Sequence, residues 1–456
     1  MKAILRKTYF IQFMLLSVLI SCNTNKKDQN ETDNNPTEIS IADQQLLTLV
    51  QKQTFNYFWD GAEPNSGLAR ERLHLDDNYS SSPKNTVTTG GSGFGLMAIL
   101  VGIERDFISR EEGLERYEKI VNFLERADRF HGAWPHWITG GTGKTYPFGT
   151  KDNGGDLVET AFLIQGLLTV KQYFQEGNDR EKELCSRIQK LWEEVEWNWY
   201  TKGGEDVLYW HWSPNYGWEM NFPVGGYNEC LIMYVLAAAS PTYPISKSVY
   251  EKGWARNGEI AKDTTFYGLK TELDHYEHDN SPVGPLFWAH YSYLGLNPKG
   301  LNDQFADYWK LNKNHALIHY KYAVDNPKNY KGYGENLWGL TSSYSMIGYA
   351  GHKPDDDLGV ISPTAAISSI PYTPKESMQF IRHLYKEQDS LIGKYGPYDA
   401  FSIESNWYLP RYLAIDQGPI PVMIENYRTG LLWNLFMKNE DVTKGLKKLG
   451  FTSPNI

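Results

Sequence analysis

The stretch "KDNGGDLVETAFLIQGLL", residues 151–168, places three acids at the beginning of an apolar segment. Asp152, Asp156 and Glu159 are separated by four and three residues, and the segment that follows them is apolar nearly all round. A helix with apolar residues on every side is buried in the core of a protein. The stretch therefore predicts a buried helix with an acidic N-terminal end.

The rest of the chain repeats this helical pattern in two forms. Amphipathic, charged segments predict outer helices with one face in water, at residues 110–129, 180–199, 303–323 and 375–386. Apolar segments that begin with small residues predict inner helices, at residues 90–103, 155–170, 226–239, 283–294, 334–345, 362–372 and 419–436. With no long alternating β pattern, the sequence predicts an all-α fold, an (α/α)6 toroid of paired inner and outer helices. The alternative, an open α-solenoid, lacks the fixed-period repeat that such proteins show.

The N-terminus has the features of a secretory signal. Three basic residues precede a short apolar run over residues 9–20, which is too short for a spanning helix. The run ends in "LISC", which resembles the bacterial lipoprotein signal and makes Cys22 the predicted lipidation site; an ordinary secretory signal is the alternative. We therefore predict a signal peptide over residues 1–21, a flexible tether over 22–40, one domain over 41–456, and a location in the cell envelope, periplasmic or on the outer-membrane surface.

The charge balance limits the class of partner. The net charge is −10, with 55 acids against 45 Lys and Arg residues. Nucleic-acid binding depends on Lys and Arg contacts to phosphate, so a nucleic-acid partner is not expected. A polysaccharide lyase, which acts on acidic polymers, is disfavoured for the same reason. The balance fits a neutral substrate, and we expect a monomer without a cofactor.

The three acids of the opening stretch have several possible roles. An Asp near a helix N-terminus accepts orphan N–H groups and meets the positive end of the helix dipole. Oxygen ligands also suit Ca²⁺, although the spacing does not match an EF-hand. Crowded carboxylates, finally, push one another's pKa values apart, which acid–base catalysis exploits. The pattern alone leaves capping, metal binding and catalysis open.

Other acids stand next to apolar or aromatic segments. Glu229 in "GGYNECLIMYVLAAA" precedes an apolar run, which raises a carboxyl pKa and suits a general acid, although a capping role is equally compatible. Asp399 in "GKYGPYDAFSIESNWY" lies in an aromatic loop, where a turn aspartate is the simpler interpretation. Glu335 is either an acid of the inner rim or a buried partner of Arg428.

Aromatic residues are concentrated in the long loops before the predicted inner helices. Too many Trp residues occur there for all of them to be core residues, and acids beside flat rings predict a glycan-binding cleft. Cleavage of a glycosidic bond requires one protonated and one ionised carboxyl group. The predicted cleft wall comprises Trp134, His136, Trp137, Trp288 and Tyr398.

Six segments of the sequence resemble a known family. These segments are "QTFNYFWDGAEPNSGLARER" (53–72), "TGGSGFGLMAI" (89–99), "AWPHWI" (133–138), the opening stretch, "FPVGGYNECLIMYVLAA" (222–238) and "YGENLWGLTSSYS" (333–345). From about Asp43 to its C-terminus, the chain is similar to the bacterial glucoamylase-like family, classed in part as glycoside hydrolase family 144. Characterised members of that family are β-1,2-glucanases.

The resemblance implies an (α/α)6 toroid and hydrolysis with inversion, without metal or cofactor. It places the family's acidic motif at Asp152, Asp156 and Glu159, a candidate general acid at Glu229, and a candidate base at Asp399. It implies a β-1,2-glucan substrate, cut either internally or by release of sophorose from an end. A hydrolase of another glucan and a glycan-binding lipoprotein without catalysis are the alternatives.

Overall fold

The computed structural model describes residues 40–79, 83–275 and 283–456. The predicted signal peptide and Cys22 lie outside these residues. The fold is rich in helices: α1 Ile41–Trp59, α2 Thr89–Glu104, α3 Arg110–Leu124, α4 Leu157–Phe174, α5 Asp179–Glu193, α6 Leu231–Ala239, α7 Lys247–Val249, α8 Tyr308–Asp325, α9 Pro363–Ser368, α10 Pro374–Glu387, α11 Ala414–Gln417, α12 Pro419–Arg428, α13 Leu431–Met437 and α14 Glu440–Leu449. No helix in the described ranges is long and apolar enough to cross a membrane.

Short antiparallel ribbons connect the helices. The strands are β1 Arg72–His74, β2 Thr86–Thr88, β3 Trp137–Thr139, β4 Thr145–Tyr146, β5 Gly155–Asp156, β6 Leu208–Tyr209, β7 His211–Trp212, β8 Pro223–Val224, β9 Ala261–Phe266, β10 Leu269–Leu273, β11 Ser343–Ser345, β12 Gly348–Ala350, β13 Ile392–Gly393, β14 Gly396–Pro397, β15 Phe401–Ser402, β16 Trp407–Tyr408 and β17 Arg411–Leu413. β2, β3 and β4 form one ribbon, and the other strands pair as β1–β17, β5–β7, β6–β8, β9–β10, β11–β12, β13–β14 and β15–β16.

Helices α2 and α4 form the centre of the core. Every residue of α2 from Thr89 to Ile103 is buried, as its apolar sequence predicts. A Cβ atom on Gly93 would lie 2.2 Å from the carbonyl oxygen of Phe162, and one on Gly166 would lie 2.3 Å from the carbonyl oxygen of Gly93. Glycine at both positions therefore allows the two helix backbones to touch.

The buried elements contact one another in sequence. α2 packs on α4, α4 on α6, and α6 on the short 3₁₀ turn Ser292–Leu294. That turn packs on α12, which contacts both α9 and α2. The amphipathic helices α3 and α5 lie outside this circuit, and each begins with a capping box, at Ser109 and Asn178 respectively. The predicted division into buried and amphipathic helices is therefore present.

Two predicted inner helices need correction. Residues 334–345 are not helical, because Gly334 and Gly339 have φ values of +156° and +109°, whereas an α-helix needs φ near −63°. The end of this segment is strand β11 instead. Residues 283–294 form only two short 3₁₀ helices, Leu286–Ala289 and Ser292–Leu294, in which backbone bonds such as Tyr293 N–H to His290 C=O span three residues.

Candidate functional site

A cavity of about 780 Å³ opens where the loops meet the N-terminal ends of α2, α4 and α6. Its wall combines charged and aromatic side chains. The charged and imidazole groups are Glu71, Arg72, His74, His136, Glu159, Glu229 and Arg411, and the aromatic rings are Trp137, Phe148, Phe162, Trp210, Phe287, Tyr291, Tyr344 and Tyr349. A pocket of this size, with a few convergent polar groups, is typical of a small-molecule or oligosaccharide site.

Asp156 lies fully buried behind this wall. Its Oδ1 accepts the backbone N–H of Glu159 at 2.9 Å, which makes it the N-cap of α4. Its Oδ2 accepts one hydrogen bond from His136 Nδ1 at 2.8 Å and another from Trp210 Nε1 at 2.9 Å. The residue thus caps the helix and at the same time fixes two rings of the cavity wall.

His136 is held in its charged form by the acids around it. Burial alone would lower the pKa of His136. The negative charge of Glu159, the hydrogen bond with Asp156, and the charges of Asp156 and Asp152 together outweigh burial and raise the pKa to about 10. The ring also stacks on Phe148, with centroids 4.1 Å apart. His136 is therefore a fixed cation beside the cavity carboxylates.

Asp152 lies next to this cation without lining the cavity. Burial and the charge of Asp156 raise the pKa of Asp152 to about 7. Its Oδ1 lies 3.3 Å from His211 Nε2, but that nitrogen already accepts the N–H of Gly154 at 3.0 Å. Burial also lowers the pKa of His211. His211 Nε2 therefore has no proton to donate to Asp152, and Asp152 is a buried carboxyl group that gains a proton near neutral pH.

Glu159 reaches from α4 to the beginning of α2. Its Oε2 accepts the backbone N–H of Gly90 at 2.7 Å and the hydroxyl of Thr88 at 3.3 Å. Burial raises the pKa of Glu159, while the charge of His136 acts in the opposite direction. The carboxyl group is thus anchored at one oxygen and lines the cavity with the rest of its side chain.

Glu229 lies in the turn before α6 and is 9% exposed. Burial raises its pKa to about 7; a hydrogen bond from its own backbone lowers it, and the charge of Glu159 raises it further. The turn is fixed because Ser292 donates its hydroxyl to the backbone carbonyl of Glu229. A carboxyl group with these properties keeps its proton in mildly acidic solution, which is the requirement for a general acid.

Asp399 forms a buried carboxyl pair with Asp416, one layer behind the cavity. Burial raises the pKa of Asp399 to about 6, and burial together with the charge of Asp399 raises the pKa of Asp416 well above its ordinary value. Asp416 therefore keeps a proton and donates it to Asp399. Asp399 Oδ2 also accepts the backbone N–H of Tyr344 at 2.8 Å. The hydroxyl of Tyr344 in turn bonds His74 Nε2 at 2.7 Å, in the cavity wall.

One group of side chains has the spacing of a metal site. His136, Asp152 and Asp156 present ligand atoms that all lie within 4.8 Å of one another. His136 Nδ1 lies 2.8 Å from Asp156 Oδ2, the distance of a hydrogen bond between an imidazolium donor and a carboxylate acceptor. The geometry is therefore that of an ion pair between an imidazolium and carboxylates.

Three residues predicted for the cleft wall, and the predicted rim acid Glu335, lie elsewhere in the described structure. Trp134 is fully buried, donates its indole N–H to the carbonyl of Leu124 at 3.2 Å, and supports the wall from behind. Trp288 packs on Tyr227 instead of facing the cavity, and Tyr398 stacks on Tyr408. Glu335 is exposed in a separate shallow depression. His136 and Trp137 do line the cavity.

Several residues of the site had no signal in the sequence strong enough to select them. Trp210 occurs in the aromatic loop 208–218, but its bond to Asp156 depends on strand β7 pairing with β5. Arg72 and Arg411 meet because β1 pairs with β17, more than 300 residues apart in the chain. Asp416 lies within an apolar context that resembles a core helix. Long-range pairing, which no local pattern reports, brings these groups together.

A protonatable buried carboxyl group in an aromatic-lined cavity is the arrangement expected of a glycoside hydrolase. The family model described as "Putative glucoamylase" matches residues 221–440. An endo-β-1,2-glucanase from Chitinophaga pinensis, solved with sophorotriose and glucose, is 61% identical, with a TM-score of 0.90 over 91% of this chain and 100% of that one. The crystal structure of a β-1,2-glucanase from Parabacteroides distasonis is 46% identical, with a TM-score of 0.84 over 90% of this chain and 60% of that one.

A curated relative gives the same result. The exo β-1,2-glucooligosaccharide sophorohydrolase (non-reducing end) of Parabacteroides distasonis is 45% identical over 430 residues, which is 91% of this chain. The chain spans 59% of the length of that relative. The chain belongs to the glucoamylase-like family of glycoside hydrolases, the family 144 type. The family resemblance inferred from the sequence motifs is thereby confirmed.

Proposed function

We propose that the protein hydrolyses β-1,2-glucan, with Glu229 as the general acid. The observation that carries this proposal is the buried Glu229 carboxyl group in the cavity wall, whose pKa burial raises to about 7. A carboxyl group that remains protonated near neutral pH can donate its proton to the oxygen of the departing sugar. The names of the relatives supply the linkage, since they act on β-1,2-linked glucans.

The remaining acids orient the sugar and the attacking water. Glu159 lines the cavity with an oxygen fixed by Gly90, so its carboxyl group can accept hydrogen bonds from sugar hydroxyls. Asp156 and Asp152 act from behind, through the charged ring of His136. Trp137 and Trp210 provide flat apolar surfaces against which sugar rings pack.

Asp399 is the proposed base and acts through water. Inversion requires room for a water molecule between the attacked carbon and the base. Asp399 lies behind Tyr344 instead of lining the cavity, so a proton released by the attacking water reaches it through intervening water molecules; the backbone N–H of Tyr344, which Asp399 Oδ2 accepts, does not relay a proton. Because the pKa of Asp416 is raised well above its ordinary value, Asp416 is the protonated member of the pair, and Asp399 is the carboxylate that accepts a proton.

The proposed architecture is an (α/α)6 toroid that spans residues 41–456. The circuit from α2 through α4, α6, the 286–294 turns, α9 and α12 back to α2 supplies six inner elements. His290 Nε2 bonds Ser369 Oγ at 3.0 Å, which links the fourth element to the end of α9. The cavity at the N-terminal ends of α2, α4 and α6 then lies at the mouth of the ring.

We propose that the mature protein is anchored to the cell envelope by acylation of Cys22, as a monomer. The support is the basic and apolar N-terminal sequence that ends at this cysteine. Metabolic labelling with a fatty acid should label the wild-type protein and leave Cys22→Ser unlabelled. Equal labelling, or recovery of the wild-type protein in a soluble fraction, would contradict the anchor.

The activity is tested with linear β-1,2-glucan and the purified protein. We expect reducing sugar to appear, and proton spectra recorded within the first turnovers to show the inverted α-anomer. A ladder of products indicates internal cleavage, whereas sophorose alone from the start indicates release from an end. No product from this glucan, from other β-glucans or from α-glucans would contradict the proposal and favour a glycan-binding lipoprotein.

A further inference from the structure

A second concave surface lies on the loop segment that follows α5. This groove has a volume of about 800 Å³. Its aromatic rings are Trp199, Trp218 and Tyr243, and its polar groups include Asn198, Thr201 and Lys202. None of these residues lines the cavity described above. Exposed aromatic rings with adjacent hydrogen-bonding groups mark binding surfaces rather than core.

Trp199 is presented to this groove by a rigid support. The imidazole of His131 covers one face of the indole, with centroids 3.7 Å apart and an interplanar angle of 14°. The indole nevertheless remains 39% exposed, so its open surface is on the side of the groove. His131 is fixed in turn by Glu196 at 3.0 Å. Trp199 is therefore a flat platform whose orientation is set before any ligand binds.

The backbone of His131 supports a functional role for this arrangement. Its φ is +50°, in the left-handed region, which is sterically unfavourable for a non-glycine residue. This conformation brings the imidazole between Trp199 and Trp212, whose ring lies 5.0 Å from it. Strain of this kind persists where the surrounding structure requires it.

The groove is connected to the cavity through one loop. Trp212 contacts Trp199 at 6.3 Å and follows Trp210, which lines the cavity, by two residues. Trp210 stacks on Phe222, which is 51% exposed, with centroids 5.3 Å apart and an angle of 8°. Asn221, next to Phe222, accepts a hydrogen bond from Lys202 of the groove at 2.7 Å. Exposed rings and polar groups thus continue from the cavity to the groove.

We infer that this groove binds a second stretch of neutral glucan chain, outside the catalytic cavity. The inference rests on the proposed function for the identity of the sugar. A flat indole with neighbouring amide, hydroxyl and ammonium groups suits the apolar face and the hydroxyls of a glucose ring. One acid, Glu196, and one base, Lys202, line the groove, so it favours a neutral polymer over a polyanion. The groove raises the affinity for long chains that extend beyond the cavity.

The test compares long and short β-1,2-linked glucan chains in protein that also carries Glu229→Gln, so that the ligand survives the titration. Calorimetry should show that Trp199→Ala weakens binding of the polymer by about five- to tenfold, while the affinity for a short oligosaccharide changes by less than about twofold. Tyr243→Ala, which truncates a more peripheral ring, should weaken polymer binding in the same direction.

Tyr267→Ala provides the matched control, since Tyr267 is 40% exposed and lies in the β9–β10 hairpin, outside both surfaces. If Trp199→Ala lowers the melting temperature strongly, Tyr243→Ala decides instead. Polymer affinity equal to that of the control in a folded Trp199→Ala, or in Tyr243→Ala where Trp199→Ala does not fold, would overturn the inference. Turnover of short oligosaccharides by protein with the native Glu229 tests the proposed function separately, because the groove is not needed for it.

Discussion

The Asp156 carboxylate joins the beginning of α4 to the cavity wall, with Glu159 N–H at 2.9 Å on one oxygen and His136 Nδ1 at 2.8 Å on the other. Helix capping and site construction, which the sequence left as alternatives, are therefore performed by the same side chain. A cap alone needs one acceptor oxygen. The second oxygen of Asp156 is what makes this acid different from an ordinary cap.

Replacement of Asp156 should therefore cost more than the loss of a helix cap. We expect Asp156→Ala to remove the cap, worth about 0.5–2 kcal/mol, and to leave the buried donors of His136 and Trp210 unpaired, at about 1–3 kcal/mol each. Asn439 provides the matched control. It caps α14 by accepting the backbone N–H groups of Asp441 and Val442, and it does not line the cavity. Asn439→Ala should lower stability by the cap contribution only and leave turnover unchanged. Equal losses of stability and turnover in denaturant titrations and assays of both variants would contradict this role of Asp156.

Glu229→Gln should remove turnover and spare binding. Loss of a general acid typically lowers the rate by about 10²- to 10⁴-fold, whereas the amide retains the size of the carboxyl group. The measurement is kcat on β-1,2-glucan together with the dissociation constant of an oligosaccharide. Glu115→Gln on the exposed face of α3 is the matched control and should behave as wild type. Near-normal kcat in Glu229→Gln would remove this residue from the mechanism.

The pH dependence of kcat/KM follows from the pKa of Glu229. Because the folded-state pKa of Glu229 is about 7, against an ordinary value of 4.5, the acid form is lost as pH rises through about 7. We expect kcat/KM to fall on the alkaline side with an apparent pKa near this value. A profile that stays flat to pH 9 would show that the acid is another group.

Although Glu229→Gln should lose activity, it should be more stable than wild type at alkaline pH. A group whose folded-state pKa is raised contributes stability that is full below its unfolded pKa, near 4.5, and is lost as pH rises through about 7. Above pH 7 the buried charge costs wild type on the order of 3 kcal/mol. Glu229→Gln removes this cost, so its melting temperature should exceed that of wild type at pH 8 and approach it at pH 4. Parallel melting curves at both pH values would refute the raised pKa.

Substitutions at Asp399 and Asp416 distinguish the proposed base, Asp399, from the carboxyl group that supports it, Asp416. Asp399→Asn should lower kcat by about 10²-fold or more if Asp399 takes the proton of the attacking water, because the amide cannot accept one. Asp416→Asn retains a donor for Asp399 and should leave most of the turnover. Both amides should fold, since each retains the size of the carboxyl group. Equal and small effects of the two substitutions would assign Asp399 to the support of Tyr344 alone.

The sequence predicted the helices of the core well because their apolar composition is a local property. α2 and α4 begin within two residues of their predicted limits, 90–103 and 155–170. The helix predicted for segment 334–345 is wrong because the segment contains Gly334 and Gly339, and composition alone does not report that both adopt positive φ. Residues 283–294 contain helical turns that are too short to be distinguished from an α-helix by composition.

The candidate acids were also visible in the sequence, whereas the cavity wall was not. Glu159 and Glu229 stand at the beginning of apolar segments, so their burial could be expected from local sequence. Trp134 was predicted for the wall because aromatic loop residues are common in glycan sites, yet its indole bonds the carbonyl of Leu124 in the core. Which face of a loop residue meets the cavity depends on pairings such as β5 with β7, which are non-local.

Substitution of Gly90 tests how strongly turnover depends on the position of the Glu159 carboxyl group. A Cβ atom at Gly90 would lie 2.7 Å from Glu159 Oε2 and 2.9 Å from Phe162 Cδ2, so the carboxyl group must move to admit it. We expect Gly90→Ala to lower kcat by about tenfold, because displacement of a group by about 1 Å in a site can cost up to 10²-fold. Gly141→Ala is the control, since its nearest neighbour would be Asn65 Nδ2 at 3.8 Å, which is ordinary contact. Kinetics on β-1,2-glucan measure both variants, with melting temperatures to confirm folding. Wild-type kcat in a folded Gly90→Ala would mean that the bond between Glu159 and the beginning of α2 is structural only.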